Sequence, residues 1–143
     1  MTAYQILSEL RAVGIQEKAA HLSRFFKTGP GQYGEGDRLC ALLYRLAVSE
    51  NLWKQRIAIV STWAFIRRND FTDTLALAKT LMTHAHDLIH KSVGWMLREV
   101  GKKDRKTLTD FLEAYAARLP RTTLRYAIEH YPEEERRYFL KKK

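Results

Sequence analysis

Residues 51–68 read NLWKQRIAIVSTWAFIRR, and residues 87–99 read DLIHKSVGWMLRE. These two stretches decide the fold. In both, apolar residues recur at steps of three and four, the period of a helix face, and neither shows the alternation of a strand. Both also carry tryptophan and cations where a buried helix needs neither. On a helical wheel Trp53, Arg56, Val60, Trp63 and Arg67 share one side of the first stretch, with Ile57, Ala58, Phe65 and Ile66 opposite. Lys54, Arg56, Arg67 and Arg68 are its cations, and no acid lies between them. Across the second stretch Lys91, Trp95, Arg98 and Lys102 share a side, while Ile89, Val93, Met96, Leu97 and Val100 form a core stripe. Gly94, beside Trp95, costs about 1 kcal/mol against Ala in a helix interior. Its presence implies that something approaches this turn closely.

The surrounding chain is read the same way. Tyr4, Leu7, Leu10, Ala12 and Val13 mark a helix over 2–13, ended by Gly14, and Ala19, Leu22, Phe25 and Phe26 mark a second over 16–26. The pair makes an N-terminal helical hairpin, 1–26. Four of the seven glycines then fall in KTGPGQYGEGD, residues 27–37, which is read as a loop. A phosphate-cradling role for it lacks support, because no Gly-Lys-Ser/Thr follows and no strand precedes it. Asp37 is expected to cap a helix reaching Val48, and Ser49 to cap one over 51–68. Asp70 or Thr72 opens the next, built on Leu75, Leu77, Ala78, Leu81 and Met82. Further helices are expected over 86–100 (stopped by Gly101), 106–119 and 121–130 after Pro120, with a short charged one after Pro132. Residues 102–106, KKDRK, form a turn. Consecutive helix pairs of roughly 35–45 residues match the period of HEAT-type repeats. The expected fold is all-α: stacked, HEAT-like helical hairpins in one domain over 1–143, with 38–143 holding the repeats after the loop. A compact helical bundle is the competing architecture.

Charge narrows the partner. With 25 Lys and Arg against 16 Asp and Glu, the net charge of +9 favours an anionic ligand, nucleic acid or a membrane surface. A hydrophobic content of 45% is a folding composition, which argues against a disordered basic tail. The membrane is disfavoured, because no apolar run approaches the ~20 residues of a span and the terminal YFLKKK is too short to anchor. Cys40 is the single cysteine, so no intrachain disulfide forms; a buried inert thiol and a reducing cytoplasm are expected. The opening MTAYQILSELRAVG does not have the pattern of a signal peptide. His86 and His90, with His84 nearby, have the i, i+4 spacing of a zinc pair, but no Cys or acid completes a site, and no metal is expected. A basic, aromatic-dotted face suits a phosphate backbone, with indole packed on a base or sugar. The competing reading packs Trp53 and Trp63 into the core. For Trp63 the core is preferred; for Trp95 the two readings balance.

The same residues carry a family resemblance. NLWKQRIAI, followed by LIHKSVGWMLREVGK and LPRTTLRYAIEHYPEEER, resembles the AlkD-like DNA alkylation repair glycosylases, as does EKAAHLSRFFKTGPGQYGEGDR near the start. The likeness spans nearly the whole chain. It implies HEAT-like repeats around a basic groove that holds duplex DNA bearing alkylated purines. It implies hydrolysis of the N-glycosidic bond of those cationic purines, with no metal or other cofactor and without flipping the base into a pocket. Arg56 is then expected to contact the DNA backbone and Trp95 to line the lesion-facing cleft. Lys54, Arg67, Arg68, Lys91 and Arg98 complete the expected DNA-binding set.

The sequence departs from the family at one place. Arg38 runs directly into LCALLYRLA, and the W-D-x-V-D-like motif that supplies the family's catalytic carboxylate is absent; no Trp-Asp pair occurs. The chain reads as a member lacking an internal segment, and its catalytic residue is unknown. Cleavage through an oxocarbenium-like sugar needs a nearby anion and a positioned water. Glu99, one turn beyond Trp95, is the only acid near that face, and pairing with Arg98, Lys102 or Lys103 is its expected role. Three classes follow: a repair glycosylase, an inactive helical-repeat module that binds nucleic acid nonspecifically, and a protein-interaction scaffold. A lost segment would expose apolar faces and favour self-association.

Overall fold

A computed structural model describes residues 35–142, with side chains from Cys40 onward. The expected helices over 2–13 and 16–26, and most of the Gly-rich loop, lie outside the described residues. Among the described residues the chain is all-α, with no strand. In order the helices are α1 Glu35–Ala47, α2 Leu52–Ser61, α3 Trp63–Ile66, α4 Thr72–Leu81, α5 Asp87–Lys103, α6 Arg105–Tyr115, a 3-10 turn Ala116–Arg118, α7 Arg121–Ala127 and α8 Glu133–Lys141. No helix among them is long and apolar enough to cross a membrane.

Chain neighbours pack in pairs, α1 on α2 and α4 on α5, and like members stack: α1 on α4, α2 on α5, α5 on α7. That pattern is the one stacked helical hairpins produce. The core runs through all of them. Leu43, Ile59, Ile66, Leu77, Ile89, Met96, Leu97, Leu112, Leu124 and Ile128 are fully buried. The core stripe expected on α5, from Ile89 to Val100, is buried as read.

The boundaries show which local signals won. Asn51, not Ser49, caps α2: its Oδ1 accepts from Trp53 N at 2.9 Å and Lys54 N at 3.2 Å, while Ser49 Oγ accepts from Asn51 N at 3.2 Å. The single helix expected over 51–68 is two. Buried Thr62 donates its hydroxyl to the Ile59 carbonyl at 2.7 Å, and the chain turns there between α2 and α3. Asn69 then takes the left-handed conformation, φ 61°, and Asp70 N donates to Phe65 O at 3.1 Å, closing α3 as a Schellman turn. Asp37 falls inside α1 rather than before it. Gly101 does not stop α5, which continues to Lys103. It is a packing glycine: a Cβ there would meet the end of the Leu108 side chain from α6.

The stop is Asp104, which ends α5 and caps α6. Its Oδ1 accepts from Thr107 N at 3.1 Å and its Oδ2 from Thr107 Oγ1 at 2.7 Å. The bonds from Thr107 hold the Asp104 carboxyl below its ordinary value. A depressed carboxyl adds stability that is present above the unfolded-state pKa and lost as pH falls through the folded one. Asp104→Asn keeps the cap but removes the titration. The gap between urea midpoints of wild type and Asp104→Asn is therefore expected to shrink as pH is lowered into the acidic range; a gap independent of pH would refute this.

A part-buried polar cluster joins α1 to α4. Asp73 accepts from Tyr44 Oη at 2.7 Å and from Cys40 Sγ at 3.2 Å. Burial, then Asp73, pushes the Tyr44 phenol far above its ordinary value. Cys40 is buried as expected, with its thiol held by a carboxylate.

Candidate nucleic-acid interface

Helix α5 packs against both α2 and α7. Close approach of α7 to α5 depends on Gly94. A Cβ on Gly94 would sit 2.6 Å from the Thr123 carbonyl oxygen and 2.6 Å from Tyr126 Cβ. Thr123 Oγ1 also donates to His90 O at 3.1 Å, fixing the two helices against each other. The partner expected at this turn is thus a helix of the same chain.

Between α2 and α5 is an open concavity of about 250 Å³, lined by Trp53, Arg56, Ile57, Val60, Ser61 and Trp95. Trp53 is 60% exposed and Trp95 38% exposed. No carboxylate is among the lining residues. Arg56 is held in place from its tip: Nη1 donates to Leu88 O, in the first turn of α5, at 3.2 Å. The remaining guanidinium N–H groups are left for a ligand.

The other expected cations are placed differently. Lys54 and Arg68 are exposed and form no ion pair among the described residues. Arg67 lies over the Trp63 ring, 5.2 Å from its centroid. Lys91 pairs with Asp87 at 2.7 Å; that bond draws the Asp87 carboxyl below its ordinary value and raises the Lys91 ammonium. Both groups are exposed, so the pair is weak and open to competition. Arg98 pairs with Glu129 of the segment after α7 and lies 3.8 Å from Glu99. Glu99, in turn, binds Lys102 at 2.8 Å, the role expected of it. Arg98 lines a smaller pocket with Arg105, His130 and Tyr131.

Two readings are corrected. Trp63 is not a core residue: it is 47% exposed. Ile57, expected on the opposite side, faces the concavity and is exposed. Ile57 and Ser61 were legible only as helix filler; their signal was adjacency to Trp53 and Val60 at steps of one and four. The histidines act locally: His84 Nδ1 accepts from His86 N at 3.0 Å, and His86 Nδ1 accepts from Leu88 N at 3.1 Å, capping α5. Among the described residues no group could hold a metal ion.

The described residues define an all-α protein whose packing is consistent with helical repeats. Residues 31–131 match the family model described as DNA alkylation repair enzyme, and the chain belongs to that family. Neither a curated protein nor a solved structure matches it.

Proposed function

We propose that the chain binds duplex DNA bearing alkylated purines at the α2–α5 concavity and the cations around it. Lys54, Arg56, Arg67, Arg68, Lys91 and Arg98 would neutralise phosphates, with Trp95 toward the lesion. The observation that carries the reading is the joining of Arg56 and Trp95, 39 residues apart in sequence, in one concavity whose lining has no acid. A guanidinium beside an indole, with no acid between them, favours a phosphodiester and a flat ring together. Like charges around Trp53 and Ile57 oppose self-association through this face.

Hydrolysis of the glycosidic bond is what membership of such a family suggests for the chemistry. A specific observation favours the second reading, a grip on DNA without cleavage. Glu99, one helical turn beyond Trp95, is already engaged by Lys102 and Arg98. An anion so neutralised is a poor stabiliser of an oxocarbenium-like sugar.

Two measurements on the full chain test this. Duplex affinity should fall steeply with salt, with a log–log slope of about −0.9 per phosphate neutralised; a salt-independent affinity would overturn the DNA reading. Release of methylated purines from alkylated duplex, with Trp95→Ala alongside, then separates the two chemistries. Release dependent on Trp95 means hydrolysis, with Glu99→Gln the next variant. Intact binding with no release means the grip alone.

A further inference from the structure

The segment that leads into α5 is organised by three histidines. His90 Nε2 donates to the His84 carbonyl, His84 Nδ1 accepts from His86 N at 3.0 Å, and His86 Nδ1 accepts from Leu88 N at 3.1 Å. Each bond has its direction fixed by the backbone partner, since an amide N–H only donates and a carbonyl only accepts. His84 and His86 are therefore neutral, with their protons on Nε2, whereas His90 keeps its bond when protonated. Helix caps are ordinarily Ser, Thr, Asp or Asn, whose side chains do not titrate near neutrality. A histidine cap differs, because a proton competes for the lone pair that holds the helix. The cap also meets the interface at one residue. Leu88, whose N–H His86 holds, offers its carbonyl to Arg56 Nη1 at 3.2 Å and to Ser92 Oγ at 2.7 Å.

We propose that His86 is a positioning residue for Arg56: its neutral imidazole fixes the first turn of α5, so that Leu88 presents its carbonyl to the guanidinium, and a proton on that imidazole releases the grip. The inference rests on the DNA-binding reading above and adds a control to it. Protonated His86 would set its Nδ1–H against the Leu88 N–H, two donors face to face, and place a cation at the positive end of α5. His84 would fail in the same way toward His86 N. The neighbouring charges leave this balance standing. Asp87, which favours an imidazolium, is already bonded to Lys91 and to Thr122 of α7, and Tyr126 of α7 acts on Lys91. Arg56, from α2, opposes a further cation. Arg67 and Lys79, from α3 and α4, lie over the rings of Trp63 and Tyr115.

The test is duplex affinity of the full chain, wild type against His86→Asn, at about pH 8 and about pH 5.5, the two ends of the usual histidine range. Asn accepts from first-turn N–H groups and does not titrate. The two proteins should bind alike at the higher pH. At the lower pH His86→Asn is expected to bind about fivefold more tightly, the fold-change of one lost cap. The sign is decisive, because the added charge of a protonated histidine would by itself make wild type the tighter binder. Wild type equal to or tighter than His86→Asn at the lower pH would overturn the proposal. In an Arg56→Ala background the difference should vanish; a difference that persists there would overturn the route through Arg56. Hydrogen exchange at the Leu88 amide, measured without DNA, separates the cap from the DNA reading. Protection of that amide, corrected for intrinsic rate, should fall severalfold at the lower pH in wild type and hold in His86→Asn. Protection alike in both proteins at both pH values would overturn the histidine control whatever the DNA result. Protection lost as expected, with no salt-dependent duplex binding at either pH, would leave the cap standing and overturn the DNA reading.

Discussion

Gly94→Ala is expected to destabilise the fold by about 1–3 kcal/mol through overpacking, although Ala is the better helix former by about 1 kcal/mol. The new Cβ would lie 2.6 Å from a backbone oxygen, Thr123 O, and 3.2 Å from Thr123 Cα. Backbone atoms cannot rotate aside. Relief requires α7 to lift from α5, which strains the Thr123–His90 bond and loosens Leu124, Ala127 and Ile128, all buried beneath it. Gly101→Ala, in the same helix, supplies the contrast. Its Cβ would meet the tip of Leu108, a flexible side chain, so the neighbour can give and the helix-propensity gain offsets the cost. Urea midpoints of the two variants should therefore part, with Gly94→Ala well below wild type and Gly101→Ala close to it. A Gly94→Ala protein as stable as wild type would mean that α7 does not depend on this contact.

The pairing of glycine and partner illustrates what a single sequence discloses. The stripe from Ile89 to Val100 announced a buried face, because burial and helical period are both local properties of the chain. Gly94 announced a close approach without naming its source, since the approaching helix lies some thirty residues on. Helix ends were less legible where two signals competed. Ser49 and Asn51 are both capping residues, and the choice depended on which side chain could reach the N–H groups of Trp53 and Lys54. Thr62 looked like helix interior, yet the helix breaks there, with its hydroxyl bonded to Ile59 O at 2.7 Å.

Of the expected cations, charge was legible and availability was not. Residue type reports that Arg98 and Lys91 are positive; only the fold shows Glu129 and Asp87 beside them. The partners come from different ranges of sequence, one turn away for Lys91 and 31 residues away for Arg98. A net charge of +9 thus overstates the field at the interface. Binding at Lys91 and Arg98 requires a phosphate to displace a carboxylate, while Lys54 and Arg68 need no such exchange. Arg56 stands between these cases, tethered by one N–H and free at the others.

Arg56→Ala is accordingly the substitution expected to weaken DNA most for least cost in stability. The Leu88 carbonyl that Arg56 engages also accepts from Ser92 Oγ at 2.7 Å, so removing the guanidinium leaves that oxygen satisfied. The fold should lose no more than about 1 kcal/mol, the net worth of one hydrogen bond. DNA loses a fixed, charged donor: bonds to charged groups are worth about 1.5–3 kcal/mol, or roughly 10–100-fold in affinity. The salt slope should also shrink by about one phosphate. Arg56→Lys divides the two contributions. It keeps the charge, and with it the slope, but a point-like ammonium cannot hold Leu88 O and a phosphate in one planar fork. Its affinity should fall between wild type and Ala. Parallel duplex titrations at several salt concentrations, with urea midpoints for each variant, measure both terms. Affinity for Arg56→Ala equal to wild type at every salt concentration would show that the DNA path avoids the α2–α5 concavity.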